Sequence, residues 1–333
     1  MTSAPTLEDV ATRAGVSTAT VSRCLNAPEK VVAKTRERVL NAVRDLGYAP
    51  NFSARALAAR RTQTIGAVIP TMENAIFAQG LQAFQERLAQ DGFMLLVASS
   101  SYDPDVEFEQ IRALVARGAD GLLLIGHDRD AEVLKFLDKQ NVPALVAWAY
   151  RRDQPSIGFD NQAAMKELAD HAIALGHRKI GVISASQTGN DRARARVAGI
   201  HAAANEAGLG AEAISVVETN YSIKSGAIAF DRLMANAPTL ILCGNDVLAA
   251  GALRRAHEMN ISVPGDISIT GFDDIELASL VTPRLTTVHV PHRIMGETAA
   301  DTLIDMAEGR QPGASVCLPT YVRDGETLGP PKR

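Results

Sequence analysis

The sequence predicts an α/β protein with an N-terminal three-helix head, a hinge segment and two doubly wound parallel-sheet lobes. Residues 1–49 carry helix patterns, whereas from Thr64 onward short β-rich runs alternate with amphipathic helical segments. Charge divides the chain in the same way. Residues 1–61 hold ten Lys and Arg but only five Asp and Glu. The whole chain has 34 Lys and Arg and 38 Asp and Glu, so 24 basic and 33 acidic residues lie after position 61. A basic head (+5) on an acidic body (−9) indicates a polyanionic partner for the head alone.

Two short helices around a glycine turn open the chain. Thr6 is the predicted N-cap of the first, acidic residues fill its first turn, and Gly15 ends it. Ser17 is the predicted N-cap of a second helix that runs to about Leu25. Two such helices bury little alone, so we expect a third, in the segment KTRERVLNAVRDLGY, to cover them.

This helix, turn and helix arrangement has two interpretations. In a helix-turn-helix motif the second helix enters the major groove of DNA with its early residues on base edges. By position those residues are Thr18, Ala19, Ser22 and Arg23. The alternative is an αα-hairpin with a solvated polar face, and the spacing alone favours neither interpretation.

The residues of the head resemble a known family. TLEDVATRAGVSTATVSRCLN and KTRERVLNAVRDLGYAPN closely resemble the head of the lactose-repressor/galactose-repressor (LacI/GalR) family of transcription factors, without a gap. Val32 departs from the usual Ser or Thr cap of the third helix, so Thr35 is an alternative start, and Cys24 replaces an aliphatic residue and is interpreted as a small packing residue. The resemblance implies double-stranded operator DNA as partner, with head contacts from Thr6, Ser17, Thr18, Ala19, Thr20, Ser22, Arg23 and Asn26.

Residues 50–62 are predicted to form the hinge. Within APNFSARALAARRTQTIG the resemblance implies a short helix that forms on DNA and inserts Leu57 into the minor groove to kink the duplex. The residues expected to flank this leucine are Asn51, Ser53, Arg55 and Ala58. The alternative is a flexible basic linker with Leu57 tucked against the body.

The body, residues 63–333, is predicted to form two lobes that face each other across a cleft. The predicted strands are IGAVIP, FMLLVAS, GLLLIG, ALVAW, SIGFD, KIGVIS, ISVVE, TLILCG and ISITGFD, and their alternation with helices indicates right-handed βαβ units. FDNQ interrupts the rhythm and is interpreted as a crossing. We expect lobe 1 to hold about 63–160 and 292–318, and lobe 2 about 161–291 and 319–329. The resemblance implies the same body, similar to periplasmic sugar-binding proteins; because no leucine-heptad tail follows Arg323, a homodimer is expected.

Ligands of open α/β sheets bind beyond the carboxyl ends of the strands. The residues there combine aromatic rings, amides and carboxylates, as a polyhydroxylated ligand requires. The resemblance implies one further effector contact, the arginine just before the VAG turn of a helix, which is Arg196 here. The predicted effector contacts are Asn74, Phe77, His127, Trp148, Asp160, Arg196, Tyr221, Asn245 and Asp273.

Several of these residues have a structural alternative. Asn245 and Asp246 can cap the helix VLAAGALRRAH, and for Asp246 the cap is the preferred interpretation. For Arg196 and Asp273 a contact with the ligand is the preferred interpretation. For His292 two interpretations remain, a side chain that projects into the cleft or a structural histidine.

Composition and motifs argue against other classes of protein. Three cysteines without a CxxC pair indicate neither a disulfide framework nor a zinc site, and GLGAEA ends a helix, so it is no dinucleotide motif. No P-loop or GxSxG is present, and we expect neither a cofactor nor a metal. Apolar runs are too short to cross a membrane and the first ten residues lack an export signal, so a cytoplasmic location is expected.

The sequence therefore predicts a ligand-responsive transcriptional regulator, a repressor by the commonest role in the family, that binds a palindromic operator as a dimer. Its effector is expected to be a sugar or sugar acid in the cleft between the lobes. The alternative is a sugar-binding protein or a sugar-processing enzyme with a non-functional head. No acid/base pair is identifiable, so an enzyme is not expected.

Overall fold

The structure is a computed structural model that describes residues 4–49, 61–73, 75–311 and 313–332. It divides into two compact units, Met1–Thr62 and Gln63–Arg333, which we call the head and the body. Each unit has its own hydrophobic core. Among the described residues, every helix is too short or too polar to span a bilayer.

The head is a bundle of three helices. Thr6 and Asp9 form a capping box at the start of the first, and Gly15 ends it with φ +62°, a left-handed conformation that glycine adopts without strain. Val10, Val21, Cys24 and Val39 are buried together at the centre, so Cys24 is the small packing residue that the sequence predicted. The helices are α1 (Leu7–Ala14), α2 (Thr18–Asn26) and α3 (Ala33–Leu46), with a 3₁₀ turn at Pro28–Lys30.

Helix α3 begins without a side-chain cap. Val32 occupies the N-cap position, makes no capping hydrogen bond and is 76% exposed. Thr35 does not start the helix, so that expectation was wrong; it lies in the first turn and donates its backbone N–H to the Val32 carbonyl at 2.9 Å. The weak start is tolerated because Val39 and Ala42 bury one face of the helix.

The first sheet of the body is entirely parallel and is buried at its centre. β1 (Thr64–Ile69) and β3 (Gly121–Ile125) are mostly apolar and are buried along their whole length, as in parallel sheets covered by helices on both faces. The strand order is β11-β5-β4-β3-β1-β2. The strands are β1 (Thr64–Ile69), β2 (Met94–Ser99), β3 (Gly121–Ile125), β4 (Ala144–Ala147), β5 (Ser156–Gly158) and β11 (Val316–Cys317).

The second sheet is parallel, with strand order β7-β6-β8-β9. Its strands are β6 (Ile180–Ser184), β7 (Ile214–Glu218), β8 (Leu240–Cys243) and β9 (Ser268–Thr270). In both sheets the chain moves first to one side of the opening strand and then to the other. This places a switch point between β1 and β3 and another between β6 and β8, where ligands of such sheets bind.

Helices cover the sheets and pack closely in pairs. A methyl group on Gly296 would lie 2.0 Å from the Gly80 carbonyl oxygen, so the helices that carry these two residues are in direct backbone contact. The body helices are α4 (Ala78–Gln90), α5 (Pro104–Ala116), α6 (Ala131–Gln140), α7 (Asn161–Ala174), α8 (Asp191–Glu206), α9 (Ile223–Met234), α10 (Asp246–Glu258), α11 (Leu277–Leu280) and α12 (His292–Ala307), with a 3₁₀ turn at Ala211–Ala213.

All nine predicted strands are present, and the structure adds three short ones. β10 (Thr287–His289) pairs antiparallel with β12 (Tyr321–Arg323), and β11 pairs parallel with β5. Each has only two or three residues. The chain passes from the first sheet to the second after β5, through the predicted FDNQ crossing, and returns between β10 and α12, which packs on α4.

Candidate DNA-binding head and effector cleft

One face of α2 is exposed and the opposite face is buried. Val21 and Cys24 point into the head core, which fixes the orientation of the helix. The predicted DNA contacts Ser17, Thr18, Ala19, Arg23 and Asn26 are exposed, and Thr20 and Ser22 are partly exposed. The helix therefore presents its polar side outward, as a recognition helix must.

Several of these side chains stabilise the helix ends. Ser17 Oγ accepts the Thr20 backbone N–H at 3.2 Å and lies 2.9 Å from Thr20 Oγ1. Asn26 Nδ2 donates to Ser22 Oγ at 3.3 Å. Thr6 is occupied by the capping box, because its backbone N–H and its hydroxyl both donate to Asp9 Oδ2.

Two basic side chains of the head are held by other side chains, since Arg13 pairs with Asp45 at 3.0 Å and Arg44 bonds to Asn41. Arg23 is exposed on the outward face of α2, among the predicted base-contacting residues. The predicted hinge contacts Asn51, Ser53, Arg55, Leu57 and Ala58 lie outside the described residues, as does Asn74 of the predicted effector site.

The body contains a closed ring of hydrogen bonds, which we call the cleft ring, made of Trp148, Asn161, Arg196, Asp273 and His292. Trp148 Nε1–H donates to His292 Nδ1 at 3.1 Å, and His292 Nε2–H donates to the Asp273 carbonyl oxygen at 3.0 Å. Each member is at least nine-tenths buried. The ring joins the end of β4, the start of α7, helix α8, the loop after β9 and the start of α12, and it therefore ties the two sheets together.

Arg196 is the central cation of the ring. Its Nε donates to Asn161 Oδ1 at 2.9 Å and its Nη2 donates to Asp273 Oδ1 at 3.3 Å. Its Nη1 donates to the Gly244 carbonyl at 2.5 Å, and the guanidinium lies 3.8 Å from the centre of the Phe272 ring. Asn161 Nδ2 closes the ring by donating to the Trp148 carbonyl at 3.0 Å.

Two ring members have displaced pKa values. Burial raises the pKa of Asp273 to about 6, although Arg196 opposes the shift. Burial lowers the pKa of His292 to about 4, so the imidazole is neutral at pH 7. Asp273 Oδ2 is buried and has no partner among the described residues. A buried acceptor of this kind is available to a ligand hydroxyl.

Aromatic rings line the space beside Arg196 and Asp273. Phe77 packs edge-on against Trp148 with ring centres 5.2 Å apart, and a methyl group on Gly80 would lie 2.5 Å from the Trp148 ring. A small cavity of about 20 Å³ remains, which we call the inner cavity. It is lined by Ile76, Phe77, Tyr102, Trp148, Arg192, Arg196, Tyr221 and Asp273. Five predicted effector residues, Phe77, Trp148, Arg196, Tyr221 and Asp273, thus meet at one cavity.

Three other predicted effector residues serve structural contacts. His127 bonds through Nδ1 to Gln154 Oε1 at 3.0 Å, and its backbone N–H donates to Asp191 Oδ2 at 2.7 Å. Asp160 is exposed and caps α7, accepting the Ala163 N–H at 2.9 Å. Asn245 caps α10 through the Leu248 N–H at 2.9 Å, while its buried Nδ2 has no partner among the described residues.

Asp246 does not cap α10, contrary to the preferred interpretation of the sequence. Its Oδ2 accepts the Ile275 N–H at 2.8 Å and its Oδ1 accepts the Thr287 hydroxyl at 2.6 Å. Burial raises the pKa of this carboxyl. The carboxylate fastens two loops that are distant in sequence, and the sequence carries no local signal for such a contact.

Sequence analysis missed three residues of the inner cavity, Ile76, Tyr102 and Arg192. Arg192 is one helical turn before Arg196 and pairs with Asp191 at 2.9 Å. The spacing of four residues on α8 was the signal that could have found it. Tyr102 is the third residue after β2 and lines the cavity from a left-handed backbone conformation, with φ +62°. Among the described residues no cluster of His, Cys, Asp and Glu could hold a metal ion.

Comparisons with known proteins agree with this architecture. Residues 6–51 match the family described as bacterial regulatory proteins, lacI family, and residues 169–328 match the periplasmic binding protein-like domain. The HTH-type transcriptional repressor PurR of Vibrio atlanticus (strain LGP32) is 34% identical over 307 residues, which cover 90% of this chain and 91% of that protein. The chain belongs to the LacI family.

Two further similarities extend over most of the chain. The HTH-type transcriptional regulator DegA of Bacillus subtilis (strain 168) is 34% identical over 303 residues, covering 87% of this chain and 88% of that protein. The crystal structure of the lac repressor dimer bound to operator and the anti-inducer ONPF superposes with a TM-score of 0.86 at 30% identity, covering 98% of this chain and all of that one. Membership of the LacI family confirms the predicted fold and the prediction of a DNA-binding transcriptional regulator.

Proposed function

We propose that this LacI family protein is a repressor that binds a near-palindromic operator as a homodimer and is controlled by a sugar or sugar acid in the cleft of the body. The observation that carries the proposal is the pairing of an outward polar recognition helix in the head with a buried, partly unsatisfied polar site in the body. The known dimeric state of the lac repressor on its operator supports the dimer.

The DNA contacts are assigned to the exposed side of α2 and to the hinge. Thr18, Ala19 and Arg23 would face base edges, and Ser17 and Thr20 hold the helix start in shape. Leu57, outside the described residues, would enter the minor groove. The +5 charge of residues 1–61 supplies the attraction to phosphates.

A test of this assignment uses an operator selected in vitro from random duplexes and fluorescence anisotropy of the full-length protein. We expect the double variant Arg23→Ala with Leu57→Gly to bind at least tenfold more weakly, because it removes a base contact and the wedge. Arg254→Ala is the matched control, since Arg254 is exposed on α10 of the body. Unchanged affinity of the double variant would contradict the groove assignment.

The effector site is assigned to the cleft of the body, where a pocket of about 680 Å³ shares Tyr102 and Tyr221 with the inner cavity beside the cleft ring. A sugar hydroxyl can donate to Asp273 Oδ2 and accept from Arg196, while Phe77 and Trp148 present apolar rings to the C–H face of the sugar. A ligand that binds only one arrangement of the lobes shifts the population of that arrangement.

The corresponding experiment repeats operator binding in the presence of a panel of sugars and sugar acids. We expect at least one compound to change operator affinity by roughly 5- to 150-fold, the usual range of coupling. Phe77→Ala should abolish that change while leaving operator affinity without effector intact. No response to any member of the panel would contradict the sugar assignment while leaving the DNA assignment untouched.

A further inference from the structure

Ala19 lies at the centre of the exposed face of α2. At about 100° of rotation per residue, the buried residues Val21 and Cys24 lie about 160° and 140° around the helix axis from Ala19, on opposite sides of it. Ala19 is therefore on the far side of the helix from the head core, and it is exposed. It also belongs to the first turn of α2, the part of a recognition helix that reaches base edges.

The neighbours of Ala19 on this face are polar. Asn26 Nδ2 donates to Ser22 Oγ at 3.3 Å, so this amide and this hydroxyl engage each other along the helix. Arg23 is about one turn after Ala19 and is exposed. A methyl group and a guanidinium therefore lie side by side on the outward face of α2.

The side chain of Ala19 can recognise one feature of the major groove. It has no polar atom, so it neither donates nor accepts a hydrogen bond. The apolar group that base pairs present in the major groove is the C5-methyl group of thymine, whereas an arginine binds the O6 and N7 atoms of guanine. Ala19 thus favours a thymine and Arg23 favours a guanine, through different interactions.

Helix geometry limits the separation of the two bases. Residues four apart on a helix are about 6 Å apart along its axis, and successive base pairs are about 3.4 Å apart along the duplex, so the two contacts lie within about two base steps. The methyl group and the guanine are therefore read in the same short segment of each half-site.

We propose that Ala19 is a specificity-determining residue that reads the C5-methyl group of a pyrimidine in each operator half-site, beside the guanine bound by Arg23. Because the alanine does not sense the polar group on C4 of that pyrimidine, 5-methylcytosine should serve in place of thymine. Operator affinity would then respond to cytosine methylation at this position. This inference rests on the proposed operator-binding function and adds the base feature that the head reads.

The first test removes only methyl groups from the operator. Fluorescence anisotropy of the full-length protein would compare the selected operator with duplexes in which each thymine of the half-sites is replaced in turn by deoxyuridine. At one position we expect about fourfold weaker binding for one half-site and about 16-fold for both, the effect expected from one buried methyl group per half-site.

Two outcomes separate this inference from the proposed function. Equal affinity for thymine and deoxyuridine at every position of a tightly bound operator would overturn methyl reading and preserve operator binding. Failure to select any preferred duplex would overturn both. These substitutions are made in the DNA, so they need no protein variant to fold.

The reverse change adds a methyl group at the same place. At the sensitive position the T·A pair is replaced by C·G, with either cytosine or 5-methylcytosine. Methylation should strengthen binding by about the factor that deoxyuridine weakens it, because both changes concern one methyl group at the same point in the groove. The absence of any gain on methylation would show that the protein reads thymine by another atom.

A protein variant then assigns the contact to Ala19. In Ala19→Gly both methyl effects should disappear, and each comparison uses two duplexes with one protein, so a loss of head stability cancels. Ala33→Gly is the matched control, because Ala33 is exposed at the start of α3 and should keep both effects. Thr18→Ser removes the methyl group of the neighbouring exposed residue. Retention of the effects in Ala19→Gly, or their loss in Thr18→Ser, would overturn the assignment.

Discussion

At the scale of single residues, the body depends on the pairing of charges that are removed from water. Arg196 and Asp273 have side chains 7% and 1% exposed, and Arg196 also satisfies Asn161 and Gly244. Removing one partner of a buried pair leaves an uncompensated charge, whereas exposed pairs contribute little. The position of an arginine along α8 therefore determines how much it contributes to the stability of the body.

The two arginines at positions 194 and 196 give a direct comparison. Arg196→Ala should lower the free energy of unfolding of the body by about 3 to 5 kcal/mol, because Asp273 remains buried without its cation. Arg194→Ala breaks an ion pair to Asp128 whose arginine is half exposed, and should lower it by at most about 1 kcal/mol. Urea denaturation followed by Trp148 fluorescence measures both, and equal losses would refute the distinction.

Asp273 and His292 should make opposite contributions to stability between about pH 4 and 6. The Asp273 pKa is raised, so its contribution to the free energy of unfolding is fully present below pH 3.8 and is lost as the pH rises through about 6. The His292 pKa is lowered, so its contribution to the free energy of unfolding is fully present above pH 6.5 and is lost as the pH falls through about 4.

Single variants should therefore expose opposite slopes. The free energy of unfolding of Asp273→Asn should fall more steeply than that of the wild type as the pH drops from 6 to 4, and that of His292→Asn should fall as the pH rises over the same range. Each difference should approach roughly 1 kcal/mol per pH unit. Denaturation curves at pH 4, 5, 6 and 7 provide the measurement, and parallel profiles for all three proteins would show that these groups do not titrate there.

At the scale of elements, the head combines strong and weak helix ends. α1 has a capping box and a left-handed glycine, and α2 has a serine cap, whereas α3 has an exposed valine at its N-cap. Buried faces hold all three helices together regardless of cap quality. Caps then adjust the stability of the head by increments of about 1 kcal/mol.

Val32→Ser should stabilise the head by about 0.5 to 1 kcal/mol, because the new hydroxyl can accept a backbone N–H in the first turn of α3 and an exposed apolar side chain is removed. Ser17→Ala is the opposite control and should destabilise it by about 1 kcal/mol. Thermal denaturation of the head transition in the full-length protein reports both. A lower melting temperature for Val32→Ser would show that the valine packs on something in the intact protein.

At the scale of the whole molecule, the cleft ring links the crossing segments of the body to its ligand residues. Arg196, Asp273 and Trp148 both line the inner cavity and hold the two sheets together. A ligand that competes for their hydrogen bonds changes the free energy of one lobe arrangement relative to another. This is the kind of differential contact that coupling to DNA requires.

Coupling between the two sites must be reciprocal. If an effector changes operator affinity by a given factor, saturating operator DNA should change effector affinity by the same factor in the same direction. Calorimetric titration of the effector into the free protein and into the protein–operator complex tests this at one salt concentration, since DNA affinity itself depends steeply on salt. Unequal factors would indicate that a step other than a shared equilibrium intervenes.

The sequence by itself determined the order of elements, the division into a basic head and an acidic body, and the family. These features depend on local patterns: caps such as Thr6 and Ser17, the glycine at position 15, and strands long enough to show an apolar run. It also placed Phe77, Trp148, Arg196, Tyr221 and Asp273 at the ends of strands or on a facing helix, which the structure brings to one cavity.

Only the tertiary structure decided which polar residues face the cavity and which hold the fold. Asp160 and Asn245 form helix caps, Asp246 fastens two loops, and Tyr102 lines the inner cavity from a left-handed position. Contacts of this kind join residues far apart in the chain, and their energies depend on burial and on the direction of each side chain. A local sequence pattern contains neither quantity, so the chemistry of the cleft could be predicted in kind, but the full set of residues that line it could not.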